Sequence, residues 1–399
     1  MALTSPGTTR GAFARLWRRP RYPGFVLTVG LSRISSFMFN TAGVLLVLDR
    51  TGSAPLAGAT AAAAVVPAAV TGPVLGAWLD VARRRRVLIV FDQLLSAVGL
   101  LGVVALAGHA PNWTVPAVTV LYSLTRPFSQ GSFFSTLAEI AGTELLDQAS
   151  AIEATSLNLS VIIGPVLAGV LVGIIGAAET VELQAALTVV VAGLVAANPA
   201  FDVRAVGHAS TVSHALRSGL GALRHERVLL ATAFSGSLAA FGWGLMLVGF
   251  PLYAVQTLHS PAHTSGYLWA AVAAGSILGT FVLHGPPGLR RVGFSYGILG
   301  LSALLWPLAG SLVAGILLIG LTGFLEGPAY SGTIALRQRH APPGARAQVM
   351  TTVASISALM LSAGAALGGA VHDPVALTMV FVAVNLVAAA GALAQRSLT

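Results

Sequence analysis

Four charged residues stand inside long apolar runs: Arg33 in VGLSRISSFMFN, Asp92 in LIVFDQLLSA, Arg126 in SLTRPFSQG and Glu326 in GLTGFLEGPAYSG. A charge at the centre of a membrane helix costs about 2.5–3.5 kcal/mol on insertion scales, so each is a candidate for pairing or for chemistry. Glu326 is the most isolated, with no other charged residue from 316 to 336. A carboxyl group desolvated in an apolar span favours its neutral form, and a group that trades a proton there is what a proton-coupled carrier requires. Asp92 lies near one end of its run and reads equally as a helix-terminal carboxylate in contact with water. Arg126 reads equally as a functional group or as an arginine held by a carboxylate or by carbonyls freed by Pro127. Asn40, Gln130, Asn158 and Tyr330 would add polar groups to a cavity that Phe37, Phe39, Phe241, Trp243 and Trp269 could line. A mostly apolar pocket with few fixed polar groups suits lipophilic small molecules.

The elements that must carry these residues follow from composition. Of 399 residues, 55% are hydrophobic and 9% charged. Soluble domains carry roughly 25% charged residues, so the surface of this chain is expected to face lipid. Twelve apolar runs are long enough to span a bilayer, approximately 23–48, 55–79, 87–108, 112–136, 150–175, 180–198, 228–256, 264–284, 291–308, 311–336, 346–371 and 374–395. They are continuous rather than alternating, which predicts helices and not barrel strands. Met1 to Arg21 is basic like a signal-peptide start, but the following run is too long and lacks a small-x-small cleavage site, so it reads as a retained first span. All 22 basic residues are arginine, and 19 of them fall on one side of the expected topology, with Arg50 opposite and Arg33 and Arg126 within spans. By the positive-inside rule both termini are cytoplasmic. The net charge of +9 fits this bias better than nucleic-acid binding.

The chain divides into a tail at 1–22, a six-span half at 23–198, a linker at 199–227 and a second six-span half at 228–395. The linker places Leu216, Leu220 and Leu223 at helical spacing among Arg217, Arg224 and Arg227, which suits a helix on the membrane surface. The halves resemble each other. A shift of 200 aligns Gln148 with Gln348, Ala154 with Ala354, Gly164 with Gly364 and Gly169 with Gly369, and a shift of 197 aligns SLT at 123–125 with GLT at 320–322. Paired six-helix halves are a recurrent transporter plan with the substrate between them. The fold class expected is therefore an all-α membrane protein of twelve transmembrane helices in two pseudo-symmetric bundles.

Two motifs refine this. Between spans 2 and 3, GAWLDVARRRR supplies Gly76, Asp80, Arg84 and Arg85 in the pattern G-x-x-x-D-R-x-G-R-R/K, with Val81 and Arg83 departing from it. On span 5, SVIIGPVLAGVL supplies Gly164, Pro165 and Gly169 of G-x-x-x-G-P-x-x-G-G, with Ser160 and Ala168 in place of glycines. On these motifs the sequence resembles the major facilitator superfamily over nearly its whole length, and its drug and siderophore exporter branch in particular. The resemblance implies that Asp80 closes the cytoplasmic side by pairing with the other half, that the span 5 motif marks export, and that the protein sits in a bacterial inner membrane. It implies a monomer that exchanges a small molecule against protons, with no cofactor and no metal. A nutrient importer or facilitator, and a non-transporting receptor on the same fold, remain open as alternatives. Enzymatic chemistry finds no support: G-x-x-x-x-G-K-[ST] cannot occur without lysine, H-E-x-x-H is absent, and the nine histidines are scattered.

Overall fold

The computed structural model describes residues 14–81, 84–202, 221, 223–283, 285–342 and 346–394, so the surface helix expected within 199–227 falls largely outside the described residues. The described part is built of helices: α1 (Tyr22–Thr51), α2 (Ala54–Ala63), α3 (Val66–Val81), α4 (Arg85–Leu106), α5 (Thr114–Leu124), α6 (Arg126–Ile175), α7 (Ala177–Ala197), α8 (Arg227–Gln256), α9 (Ser265–Val282), α10 (Leu289–Ser302), α11 (Leu312–His340), α12 (Arg346–Ala370) and α13 (Pro374–Ala394). Several starts are capped by short polar side chains. Ser53 Oγ accepts from Leu56 N at 3.3 Å and Ser311 Oγ from Ala314 N at 3.3 Å. Such caps satisfy amides that have no partner within the helix.

Among the described residues, ten segments are long and apolar enough to cross a membrane. The expected runs at 112–136 and 291–308 are the two without a counterpart among these ten, and both are interrupted. The first breaks at Thr125, two residues before Pro127; the second passes at Ala303 into a 3-10 turn that contains Pro307. Proline lacks the N–H that an unbroken helix needs and crowds the preceding turn. The expected run at 55–79 is likewise split at 64–65, just ahead of Pro67. A further departure concerns residues 137–149, expected as a connection. The chain stays helical through them and turns at Gly142 (φ 60, ψ 175), a conformation that side-chain-bearing residues rarely adopt.

Packing falls into two groups. Within the first, α1 lies on α6 and α7, and α4 on α5 and α7; within the second, α8 lies on α12 and α13, α9 on α11, and α10 on α11 and α13. The groups meet where α2 crosses α12 and where α6 crosses α9. Both crossings are made backbone to backbone by glycine. A methyl placed on Gly58 would lie 2.8 Å from Gly369 Cα, and one on Gly169 would collide with Gly266 Cα. These contacts lie at the end of the molecule that carries the Arg50–His109 and Gln256–His372 hydrogen bonds, opposite the arginine clusters. Large apolar side chains stand fully open on the outside, with Phe281 at 77%, Leu308 at 75% and Ile174 at 73% exposed. Buried polar side chains such as Asp92, Gln184 and Asn385 sit inside. Many large apolar side chains exposed along long apolar helices identify lipid as the solvent.

Candidate transport site

Arg33 is not alone. Its Nη2 donates to Glu153 Oε1 at 2.5 Å and its Nη1 to the Glu153 carbonyl at 3.2 Å, joining α1 to α6. Both side chains are more than nine-tenths buried. Arg33 stands eleven residues after Tyr22 and Glu153 eleven after Gly142, so both sit about 16 Å along their helices at 1.5 Å per residue. Glu153 was not among the candidates drawn from the sequence. It stands three residues inside a run taken to begin at 150, where a carboxylate passes as interfacial. The signal that could have found it is Arg33 itself, which needs a buried acid at equal depth. An apolar cavity of about 470 Å³ opens beside this pair, lined by Leu27, Gly30, Ile34, Ile152, Ser156 and Leu159 among others.

Asp92 is 1% exposed, which corrects the expectation of a carboxylate wetted at the helix end. Thr125 Oγ1 donates to its Oδ1 at 2.7 Å, Ser129 Oγ donates to its Oδ2, and Gln93 Nε2 lies 3.3 Å from the same oxygen. Arg126 adds an attractive charge nearby. The Arg126 guanidinium lies 5.4 Å from the Tyr122 ring centroid and donates to the Tyr122 hydroxyl at 3.4 Å. The break at Thr125 places these groups: it frees the Thr125 side chain and starts α6 with Arg126 and Ser129 facing α4. Asp92 and Arg126, selected separately from the sequence, thus belong to one cluster, in which Asp92 accepts from neutral donors beside the Arg126 charge.

Glu326 occupies the midpoint of α11, fourteen residues from both Leu312 and His340. The Ser276 side chain from α9 and the Trp243 side chain from α8 lie near its carboxyl and are neutral potential donors, so the carboxyl stands where three helices meet. The described ion pairs are Arg33–Glu153 and Arg86–Asp202, and Glu326 takes part in neither. Behind it lies an aromatic cluster. The ring of Trp243 is 5.8 Å from Trp269 and 5.1 Å from Phe381, and Trp306 is 5.1 Å from Phe381. Trp243 and Trp269, expected to line a cavity, pack against this core instead, and Phe39 is 2% exposed against Tyr122 at 5.0 Å. Tyr330 is exposed one turn beyond Glu326, Gln130 is exposed on α6, and Asn40 is half-buried on α1. The Asn158 side chain lies outside the described residues.

Gly76 and Asp80 fall on α3, but the Asp80 side chain is also outside the described residues. Arg84 is exposed at the N-cap of α4, and Arg85 is buried in its first turn. The motif on span 5 has a clear packing role. A methyl on Gly164 would press on the Phe37 backbone at 2.9 Å, and one on Gly364 would collide with the Phe241 carbonyl. Gly164 therefore seats α6 on α1 just as Gly364 seats α12 on α8. Gly169 and Gly369 form the two crossings between the groups. Pro165 lies inside α6 between these contacts.

A family model described as the Major Facilitator Superfamily matches residues 25–369. The chain belongs to this superfamily. It is a multi-pass membrane transporter of small molecules and not an enzyme. An uncharacterized MFS-type transporter of Sinorhizobium fredii is 26% identical over 397 residues, covering 97% of each chain. Macrolide efflux protein A of Streptococcus pyogenes is 24% identical over 364 residues, 86% of this chain and 87% of that one. The multidrug efflux pump Tap of Mycobacterium tuberculosis (strain ATCC 25618 / H37Rv) is 27% identical over 361 residues, 86% of this chain and 84% of its own. In fold, the chain matches a bacterial homolog of the human lysosomal transporter Spinster, solved in an inward-facing and occupied conformation. The TM-score is 0.76 at 12% identity, over 94% of this chain and 96% of that one.

Proposed function

We propose that this transporter exports small lipophilic molecules in exchange for protons, by alternating access between two six-helix bundles of twelve spans in all. The observation that carries the proposal is Glu326: a carboxyl group at mid-helix, beside the neutral Ser276 and Trp243 side chains and outside both described ion pairs. A neighbouring cation, such as Arg33 beside Glu153 or Arg126 beside Asp92, favours the ionised carboxylate, whereas neutral neighbours alone leave it free to take up and release a proton. Arg33–Glu153 and the Asp92 cluster are then fixed elements within the first bundle. The efflux proteins among the relatives support the export direction, and the apolar cavity beside α1 and α6 suits a lipophilic cargo.

The arginine-rich end is assigned to the cytoplasm with both termini, and the glycine crossings to the closed outer side. In the alternate state Asp80 would close the cytoplasmic side, as a salt bridge formed in one state alone biases a two-state equilibrium. The test uses everted membrane vesicles containing the protein and energised by an inward-acidic proton gradient. The expected result is uptake of a lipophilic fluorescent dye that collapses with a protonophore. Dye accumulation unaffected by the gradient would contradict proton coupling, and accumulation only in right-side-out vesicles would contradict export.

A further inference from the structure

We propose that the arginine-rich end carries a binding site for the headgroup of an anionic phospholipid, at the junction of α4 and α7. A cavity of about 500 Å³ opens there, lined by Arg84, Arg85, Arg86, Val87, Val90, Ala196 and Asp202. Its cationic wall is built and not merely exposed. Arg86 Nη1 donates to Asp202 Oδ2 at 2.7 Å and its Nη2 donates to the Ala196 carbonyl, which straps α4 to the end of α7. Arg85 is 6% exposed. Counting Asp202 against Arg84, Arg85 and Arg86, the described residues lining the cavity keep two positive charges in excess, three minus one. Arg84 holds the N-cap position of α4 and its side chain does not cap the first turn, so the helix start adds its positive dipole end to the same end of the cavity. Guanidinium groups and helix-start amides together recognise phosphate.

A second feature distinguishes a lipid from a free anion. Val87, Phe91, Leu94, Val98 and Leu101 are all exposed on α4. Their spacing of four, three, four and three residues forms one stripe that starts in the cavity and runs along the helix. From Val87 to Leu101 the stripe rises about 21 Å at 1.5 Å per residue, enough to cover the ~15 Å half-thickness of a bilayer core. Phosphate chemistry at the helix start and an acyl-length apolar track leading from it are the two ends of one phospholipid. Basic pockets between membrane helices recognise such headgroups by this combination. The site is separate from Glu326 and does not depend on the direction or coupling of transport.

The test measures retention of phosphatidylglycerol and phosphatidylcholine by the purified full chain, by native mass spectrometry after exchange into lipid-doped detergent. Selective retention of phosphatidylglycerol is expected, weakening about fivefold with Arg84→Gln and about 25-fold with Arg84→Gln/Arg86→Gln, as each interfacial arginine contributes on this scale. The pair Arg290→Gln/Arg291→Gln at the start of α10, where Arg290 stacks 5.4 Å from Phe294, should leave retention unchanged. The single Arg84 variant keeps the test valid if loss of the Arg86–Asp202 strap unfolds the double one. Equal retention of both lipids, equal loss in the α10 variant, or full competition by millimolar inorganic phosphate would overturn the proposal.

Discussion

The region up to Asp202 and the region from Arg227 share a helix plan but treat buried charge in opposite ways. In the first, acidic groups are fully engaged: Glu153 pairs with Arg33, and Asp92 accepts from Thr125, Ser129 and Gln93 beside Arg126. In the second, Glu326 lies beside the neutral Ser276 and Trp243 side chains and takes part in neither described ion pair. The repeat register makes the contrast sharper. At a shift of 197, Thr125 corresponds to Thr322 and Ser129 to Glu326. Thr125 serves a carboxylate, while Thr322 accepts from Trp306 Nε1 at 3.0 Å and pairs with Ser302 Oγ at 2.9 Å. The position that supplies a donor in one region supplies the acid in the other. On the proposed reading, one region holds its buried acids beside arginines and the other keeps a carboxyl beside neutral groups, where it would exchange the proton.

Seven variants would break or sharpen this comparison. The largest effect belongs to Glu326→Gln, expected to reduce proton-driven transport in proteoliposomes to the level of empty vesicles while thermal stability stays close to wild type. Next, Glu153→Gln leaves Arg33 buried without its charge partner and should cost about 3–5 kcal/mol of stability. Arg33→Met/Glu153→Leu should recover most of that loss in the unfolding midpoint, since apolar residues of similar volume replace buried pairs well. Asp92→Asn follows at about 1–3 kcal/mol, because an amide turned toward hydroxyl donors leaves hydrogen bonds unmade. Transport by that variant should persist, and its loss would move the proton to Asp92. Smaller still and symmetric, Gly169→Ala and Gly369→Ala should each cost about 1–3 kcal/mol by overpacking the two crossings. Gly193→Ala, with nothing within 4 Å, should be silent or stabilise by up to about 1 kcal/mol. Very unequal effects at Gly169 and Gly369 would argue against equivalent crossings.

Much of the helical plan is legible in composition, because an apolar run of about twenty residues has few alternatives in lipid. The repeat that aligns Gly164 and Gly169 with Gly364 and Gly369 has a physical basis: each pair marks equivalent helix contacts. Breaks inside runs were less legible. Pro67, Pro127 and Pro307 are visible in the sequence, but whether a proline kinks or splits a span depends on what its neighbours bond. The turn at Gly142 was hidden because residues 137–149 look polar enough for a loop yet remain helical. Charge partners were the least legible. Arg33 and Glu153 are 120 positions apart, and no spacing rule joins them. Glu326 was conspicuous by its isolation, but Trp243 and Ser276 are neutral and come from helices that only the fold brings to it.

The most direct measurement of where the proton resides is difference infrared spectroscopy on the reconstituted protein, recorded on adding a lipophilic substrate. The expected result is loss of a protonated-carboxyl band with release of a proton to the buffer, present in wild type and in Asp92→Asn and missing in Glu326→Gln. A substrate-dependent carboxyl band that survives in Glu326→Gln and disappears in Asp92→Asn would contradict the assignment of the proton to Glu326.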